Sequence, residues 1–168
     1  MMNGGLEFIA VRASDEDLIR RLSAFASSII RAYYDPIIGK KQNDYHLEKF
    51  QSVRGILEQL SNGYSYYIVA KDGIWRGFFA FYPRGDALYL SKFYMREEDR
   101  GKGFGKEALQ FIVGKAKHAG LNAIELNVNR FNPTVKIYEH WGFLLAHSEQ
   151  IDIGCGFIMD DHVYRLDI

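Results

Sequence analysis

The spacing of apolar side chains predicts two helices in the first part of the chain. In residues 14–34 apolar side chains recur every three or four positions, which is the period of an amphipathic helix, and Ser14 stands where a helix N-cap is expected. Residues 45–62 repeat this spacing. Pro36 and Gly39 lie between the two segments, and both residue types interrupt helices, so the sequence predicts a break there.

The pattern changes to β-branched and aromatic runs after the second helix. Three runs, separated by Asp-Gly and Gly-Asp pairs, predict an antiparallel meander of strands over residues 64–71, 74–82 and 87–95. Helical spacing returns over residues 103–118 and predicts a third helix. The other predicted elements are a first strand (6–14), a later strand (122–129), a short helix (133–141) and two last strands (142–153 and 161–168).

This order of elements, β-α-α-β-β-β-α-β-α-β-β, predicts an α+β fold with a mixed sheet. Only the strand–helix–strand unit around residues 88–128 is expected to be parallel, because its connection is a helix rather than a tight turn. The length of 168 residues suits one domain, so residues 1–168 are interpreted as a single domain.

Composition narrows the class of protein. The 21 basic and 21 acidic side chains give zero net charge, whereas nucleic-acid-binding domains usually carry a basic excess, so no nucleic-acid partner is expected. No run approaches the ~20 apolar residues of a membrane span, so no membrane partner is expected. Cys155 is the single cysteine, which excludes an intrachain disulfide and fits a cytoplasmic protein. The histidines lack the spacing of metal ligands, and no metal is expected.

A glycine-rich stretch, DRGKGFGKEA (Asp99–Ala108), lies between a predicted strand and a predicted helix and is typical of a phosphate-binding turn. It is not a nucleoside-triphosphate P-loop, because the Gly-Lys-Ser/Thr register is absent. It does contain the G-x-G-x-x-A of dinucleotide sites, with Glu125 about 20 residues later. A charged run separates these glycines from the preceding strand, however, and Glu125 lies in mid-strand, so a dinucleotide is disfavoured. A plain connecting loop and a coenzyme A site are the remaining interpretations.

Two motifs resemble the signatures of the GNAT superfamily of N-acetyltransferases. RGKGFG (Arg100–Gly105) matches the family motif R/Q-x-x-G-x-G/A, and NPTVKIYEHWGF resembles its second signature, N-x-x-A-x-x-x-Y-x-x-x-G-F. Val135 replaces the usual alanine, and the spacing between the Asn and the Tyr is one residue shorter. The matching positions of the second signature are Asn132, Tyr138, Gly142 and Phe143. The resemblance is strongest over residues 88–143, and the order of elements is also that of the family.

The resemblance implies the GNAT fold, a central and mostly antiparallel mixed sheet that is split between strands 4 and 5 and flanked by helices. It also implies acetyl-CoA as the acyl-donor cosubstrate, and it allows a homodimer. The first turn of a helix offers unpaired N–H groups and a favourable dipole to a pyrophosphate. The residues implied in acetyl-CoA binding are Phe93, Tyr94, Met95, Arg100, Gly101, Lys102, Gly103, Phe104, Gly105, Lys106 and Asn132.

GNAT enzymes pass the acetyl group directly to an amine, and the resemblance assigns parts of that reaction to this chain. A backbone N–H of Phe93, Tyr94 or Met95 would stabilise the developing oxyanion. Tyr138 would donate a proton to the leaving thiolate, although it could also be a helix residue that packs on the core. Asn132 would hydrogen-bond the pantetheine arm, and it is equally suited to capping the helix that follows it.

The sequence does not identify the group that deprotonates the amine. Some family members place a Glu on the fourth strand, but here that position falls on or near Tyr89. Glu97 and Glu98 are close in sequence, yet such charged runs are usually solvated, and a chain of water molecules is as suitable a base. For the acceptor, Tyr33, Tyr34 and Tyr45 are candidates that would hold a cationic amine through their rings, with a polar surface loop as the alternative. The carboxylates that would assist them are those of Asp35, Asp44 and Glu48.

The interpretation that follows is an acetyl-CoA-dependent N-acetyltransferase. It would acetylate a primary amine of a small molecule or of a peptide. The chain also looks somewhat like the polyamine acetyltransferase branch, and the acidic pair Asp160-Asp161 would suit a polyamine-like acceptor. The alternatives are a GNAT-fold module that binds acyl-CoA without catalysis and a domain that acts through protein contacts.

Overall fold

The computed structural model of the protein describes residues 5–168. Its strands and helices, in chain order, are β1 (Glu7–Ala10), α1 (Glu16–Ile38), α2 (Lys40–Phe50), α3 (Val53–Ser61), β2 (Ser65–Lys71), β3 (Ile74–Arg84), β4 (Ala87–Met95), α4 (Phe104–His118), β5 (Ala123–Asn129), α5 (Val135–His140), β6 (Leu144–Gly154) and β7 (Phe157–Asp167). A single 3-10 turn, Glu97–Asp99, lies between β4 and α4. None of the described helices combines the length and the apolar character that a membrane span requires.

Seven strands form a mixed sheet in the order β1-β2-β3-β4-β5-β7-β6. β4 and β5 pair in parallel, with α4 as their crossover, whereas β1 with β2, β2 with β3, β5 with β7 and β6 with β7 pair antiparallel. The prediction of an α+β fold with one parallel pair is therefore confirmed.

The sheet is split along β4. The parallel pairing with β5 covers Ala87–Leu90 opposite Ala123–Leu126 and stops there, while β4 itself continues to Met95. The rest of β5 continues opposite β7, where Asn129 faces Asp161. The split between strands 4 and 5 that the family resemblance implies is present.

The helix break predicted at Pro36 and Gly39 is present only at Gly39. α1 continues through Pro36 and ends at Ile38, so proline does not terminate it. Proline has a helical φ, but it removes one N–H donor and its ring crowds the carbonyl four residues earlier, so it disfavours the helix without forcing it to end. Only two helical residues follow Pro36. The break is at Gly39, whose φ of 86° few other residues adopt, and α2 starts directly after it. Residues 31–50 are therefore two helical segments, and the interpretation of this region as a surface loop is also wrong.

The helix predicted over residues 45–62 is two helices in the structure. α2 ends at Phe50 and α3 begins at Val53, with Ser52 as the N-cap between them. The Ser52 hydroxyl accepts the Gly55 N–H at 3.0 Å, which satisfies one of the unpaired donors at the start of α3. Apolar spacing alone did not reveal this boundary because residues of both helices, such as Leu47 and Ile56, belong to the same core.

The chain folds into two compact units, each of which draws on separate stretches of sequence. The first unit runs as far as Phe81 and also includes Lys92–Ala108, and the second comprises Tyr82–Ser91 and Leu109–Ile168. In the first unit, α1 buries one apolar face against side chains of β2 and β3. The fully buried residues that form this core include Ile19, Leu22, Ala26, Ile30, Ile68 and Phe78. In the second unit the buried apolar residues include Leu88, Ile124, Leu126 and Val163.

Candidate active site

The glycine-rich turn joins β4 to α4 inside the first unit. It follows the 3-10 turn Glu97–Asp99, and α4 begins at Phe104. Gly101 and Gly103 have φ values of 79° and 82°, which lie in the left-handed region that favours glycine. A Cβ added at either position would meet no atom within 4 Å, so the backbone conformation, not a lack of space, requires these glycines.

The start of α4 suits a phosphate group. The first N–H groups of a helix have no acceptor inside that helix, and here the first such bond is donated by Glu107 to the Gly103 carbonyl at 3.1 Å. The helix dipole adds positive potential at the same end. The exposed side chains of Arg100, Lys102 and Lys106 supply further positive charge around the turn. This donor set fits the pyrophosphate of coenzyme A.

A buried carboxylate holds this turn in place. The Asp99 side chain is 0% exposed and accepts hydrogen bonds from Arg96 at 2.6 Å, Arg76 at 2.9 Å and Lys102 at 3.4 Å. Burial alone would raise the pKa of the Asp99 carboxyl, but the hydrogen bonds from Arg96 and Arg76 outweigh burial and lower it. Asp99 is therefore ionised at neutral pH and links the turn to β3.

The end of β4 lies unusually close to β3. The β2–β3 pairing shifts register between Val69 and Ala70, which leaves Arg76 as an extra residue on β3 beside Gly77. A Cβ on Gly77 would lie 2.2 Å from the Tyr94 carbonyl oxygen and 3.0 Å from the Met95 Cα. Gly77 therefore allows the backbone of the proposed oxyanion-binding residues to approach β3 closely.

Replacing Gly77 with alanine is expected to displace the end of β4. No side-chain rotation can relieve the contact with the Tyr94 carbonyl oxygen, because both groups belong to or directly adjoin the backbone. We expect a loss of about 1–3 kcal/mol in the free energy of unfolding, as for other overpacked sites, together with reduced acetyl transfer. Urea denaturation and thiol-release kinetics measure the two effects.

Gly114→Ala is the matched control for this substitution. Gly114 lies inside α4, and a Cβ there would meet no atom within 4 Å. Alanine at this position is expected to stabilise the helix by about 0.5–1 kcal/mol. If Gly77→Ala proved as stable and as active as Gly114→Ala, the close approach of β4 to Gly77 would be needed neither for stability nor for acetyl transfer.

The structure brings two acceptor candidates to the end of β4. The rings of Tyr33 and Tyr34 lie 5.9 and 6.3 Å from the ring of Tyr94. The Arg100 guanidinium lies 4.1 Å from the centre of the Tyr33 ring. The third candidate, Tyr45, instead lines a surface depression together with Glu48 and Lys49.

Two of the three carboxylates expected to assist these tyrosines, Asp35 and Asp44, are engaged within the chain, and the third, Glu48, is exposed beside Tyr45. Asp44 accepts hydrogen bonds from Lys40 and Arg31, which lower the pKa of the Asp44 carboxyl. Asp35 accepts a hydrogen bond from the Asn43 side chain at 2.7 Å and lies 3.9 Å from Arg31. These two groups already have partners, which leaves them poorly suited to bind a cationic amine.

The second acidic pair is also engaged. Asp160 forms an ion pair with Arg130 at 2.9 Å. Asp161 is 1% exposed, and burial raises the pKa of its carboxyl to about 6. Asn127 donates hydrogen bonds to Asp161 at 3.3 Å and to Glu149 at 2.7 Å. A side chain buried to this degree offers little surface to a polyamine.

The second unit carries the residues of the other motif. Tyr138 lies on α5, half-buried, with its ring 5.8 Å from Trp141 and 5.6 Å from Phe143. Tyr138 thus makes the ring contacts that the packing interpretation expects, and these contacts are compatible with a role as proton donor. The Asn132 side-chain oxygen accepts the Thr134 N–H at 3.0 Å, which closes a turn just before α5. The N-cap position of α5 is Thr134 and not Asn132, so the capping interpretation is wrong in position.

The fourth strand offers no carboxylate base at Tyr89. The ring of Tyr89 packs 5.2 Å from Tyr82, and the Arg84 guanidinium lies 3.8 Å from its centre. Burial raises the pKa of the Tyr89 hydroxyl, which keeps it protonated at neutral pH. Within the described residues no group of three His, Cys, Asp or Glu side chains is arranged to hold a metal ion.

Comparisons with known proteins agree with this arrangement of a split sheet and a glycine-rich turn. Residues 27–143 match the model of the Acetyltransferase (GNAT) family. The chain therefore belongs to the GNAT acetyltransferase family, and acetyl-CoA is its cosubstrate. No curated protein sequence matches it.

Solved structures share the fold at low sequence identity. A PaiA N-acetyltransferase from Thermoplasma acidophilum, in complex with coenzyme A, has 18% identity and a TM-score of 0.76 over 98% of this chain and 100% of that one. A GCN5-related N-acetyltransferase from Rhodopseudomonas palustris has 12% identity and a TM-score of 0.78 over 100% and 99% of the two chains. A GNAT acetyltransferase from Elizabethkingia anophelis with acetyl-CoA bound has 15% identity and a TM-score of 0.56 over 67% and 82%.

Proposed function

We propose that this protein transfers the acetyl group of acetyl-CoA to a primary amine of a small molecule or of a peptide. The observation that carries the proposal is the turn at residues 100–103, which presents the start of α4 and a basic surface directly after the open end of β4. Residues 1–168 act as one N-acetyltransferase domain in this proposal, and the continuity of β3, β4 and α4 across the two units supports it.

The glycine-rich turn, the end of β4 and Asn132 each have a defined role in the proposed reaction. When bound, acetyl-CoA supplies the acyl carbon as a thioester that the amine attacks directly. The residues from Arg100 to Lys106 hold the pyrophosphate through backbone N–H groups and positive charge. A backbone N–H among Phe93, Tyr94 and Met95 stabilises the negative charge that develops on the acyl oxygen. Asn132 binds the pantetheine arm while its side-chain oxygen continues to accept the Thr134 N–H.

Tyr138 is the proton donor in the proposed reaction. A tyrosine hydroxyl can protonate a leaving thiolate when the two are within hydrogen-bond distance. The ring of Tyr138 is fixed by Trp141 and Phe143, so few rotamers are available to it, and such fixation favours a positioned acid. The amine is deprotonated by water in this proposal, because Tyr89 is protonated and the two other candidates, Glu97 and Glu98, are exposed. Glu98 also forms an ion pair with Arg96 at 3.2 Å.

A binding measurement and an activity measurement test the proposal. Coenzyme A at about 100 times its Kd is expected to stabilise the protein by about 2.7 kcal/mol, which raises Tm by roughly 5–10 °C for a chain of this size. Acetyl-CoA is then offered with a panel of polyamines, amino acids and lysine peptides, and thiol release is followed. Stabilisation without release on any amine would instead indicate a non-catalytic acyl-CoA-binding module. No stabilisation would contradict both functions.

A further inference from the structure

Lys92 is a buried cation on β4, directly before the proposed oxyanion-binding residues. Lys92 lies in the middle of β4 and is only 8% exposed, although its side chain is charged. Its ammonium lies 5.4 Å from the centre of the Phe50 ring on α2. His46, also 8% exposed, stacks its ring 5.0 Å from the same phenylalanine. Two residues of α2 thus cover the Lys92 side chain.

The surroundings of Lys92 contain no balancing negative charge. No carboxylate of residues 5–168 forms an ion pair with Lys92, and its ammonium instead lies over the Phe50 ring. A second ammonium, that of Lys49, lies 5.3 Å from the same ring. Burial, with a smaller contribution from Lys92, lowers the pKa of His46 to about 3, so this histidine is neutral at physiological pH. Lys92 is therefore the buried charge of this cluster, whereas Lys49 and Glu48 are exposed.

Lys92 remains largely protonated at neutral pH, although burial lowers the pKa of its ammonium to about 8. A buried charge without a partner is costly, and buried charges are normally paired, so a ligand that supplied the opposite charge would lower this cost. Asp35 and Asp44 are already engaged by Arg31, Asn43 and Lys40. The third carboxylate of the region, Glu48, is on an exposed side chain of α2. The unmatched group of the region is a cation, which favours an anion as its ligand.

The position of Lys92 relates this charge to the acceptor. Side chains alternate along a strand, so Lys92 and Tyr94 lie on the same face, about 7 Å apart along β4. Tyr94 contacts the acceptor candidates Tyr33 and Tyr34. An anion bound by Lys92 would therefore lie near the backbone of Phe93–Met95, where the acyl group is proposed to react.

We propose that Lys92 binds a carboxylate of the acceptor, so that the acceptor is an amine that also carries a carboxylate, such as an amino acid. This inference rests on the proposed function and narrows its substrate class. It assigns specificity to the Lys92 ammonium, with Phe50 and His46 excluding water from the ion pair. It disfavours a polyamine, whose additional cations would face Lys92 and Lys49.

Matched amines test this inference. Each pair consists of a carboxylate-bearing amine and its neutral or cationic counterpart, such as an amino acid with its amide and an ω-amino acid with a diamine of equal length. The wild-type protein is expected to show a kcat/KM at least tenfold higher for the carboxylate-bearing member. In Lys92→Met the preference is expected to disappear through a rise in the acceptor KM, with the KM for acetyl-CoA unchanged, and Lys92→Arg is expected to retain part of it.

Lys49→Met is the control, because its ammonium lies equally close to Phe50 on an exposed side chain. It is expected to keep the preference within about twofold of the wild type. A wild-type preference for amides or diamines, or an equal loss of activity on both members of each pair in Lys92→Met, would overturn the inference and leave acetyl transfer itself intact.

A second measurement does not need turnover. In the presence of coenzyme A, the carboxylate-bearing amines are expected to raise Tm of the wild type and of Lys49→Met but not of Lys92→Met. Absence of thiol release on every amine would contradict the proposed function alone, whereas an equal rise in Tm for Lys92→Met would contradict the role of Lys92.

Discussion

Replacing Tyr138 with phenylalanine is expected to lower kcat for acetyl transfer by about 10²- to 10⁴-fold, the usual contribution of a positioned general acid. The hydroxyl would act only while the thiolate leaves, so its loss removes an interaction made in the transition state. The KM for acetyl-CoA and the Kd of coenzyme A are therefore expected to stay near their wild-type values. Steady-state thiol release and a binding titration measure these quantities separately.

The same substitution should leave the fold intact. Phenylalanine keeps the ring that packs 5.8 Å from Trp141 and 5.6 Å from Phe143. Tyr67→Phe is a matched control, because its ring packs among Phe79 and Phe81 and has no task in the proposed reaction. A kcat of Tyr138→Phe within threefold of this control would make Tyr138 a packing residue and assign protonation of the thiolate to water.

The sequence predicted the sheet better than the helices. β4 was predicted at Ala87–Met95 and has these bounds, because a run of leucine and aromatic residues starts after clear turn signals and ends at a charged run. The break at Gly39 was predicted, but the boundary at Ser52 between α2 and α3 was missed. Apolar spacing reports which side of a segment faces the core, and it continues unchanged when two successive helices face the same core.

The glycine-rich turn was found from the sequence because its glycines and basic residues are adjacent in the chain. Its anchor was not found. Asp99 was seen only as part of a charged run, and its burial depends on Arg76, which a register shift on β3 brings to it. Contacts between residues far apart in the chain leave no spacing that a single sequence reveals.

Lys92 did leave a signal that was overlooked. It stands between Leu90 and Tyr94 at alternate positions of a strand, so the period of two places a lysine on the same face as residues that pack against the core. A charged residue is seldom found at such a position, because burying it without a partner costs free energy. The alternation of residues predicts the strand, and Lys92 is the one charged residue on the buried face of that strand.

Replacing Asp99 with asparagine is expected to lower the free energy of unfolding by about 3 kcal/mol at pH 7, the lower end of the range for breaking a buried ion pair. The lower end applies because Arg96 is 26% exposed and can recover solvation. Glu98→Gln is the control, since Glu98 contacts the same guanidinium at 3.2 Å from a side chain that is 68% exposed. The control is expected to change stability by less than about 1 kcal/mol.

The pH dependence of this effect follows from the lowered pKa of Asp99. A carboxyl whose pKa is lower in the folded than in the unfolded protein stabilises the fold above its unfolded pKa of about 4, and this contribution is lost as the pH falls. The difference in stability between wild type and Asp99→Asn should therefore shrink between about pH 5 and pH 3. Urea denaturation at pH 7, 5 and 3 measures it. A constant difference would contradict an ionised Asp99 as the source.

Coenzyme A binding separates two opposing effects of the same substitution. Loss of the Asp99 charge makes the turn more positive, which favours pyrophosphate, while loss of its hydrogen bonds to Arg76, Arg96 and Lys102 frees the turn to move. The second effect should win, because backbone N–H groups bind an anion only while they point at it, and the Kd of coenzyme A is expected to rise at least tenfold. Binding as tight as in the wild type would show that Gly101 and Gly103 fix the turn without this anchor.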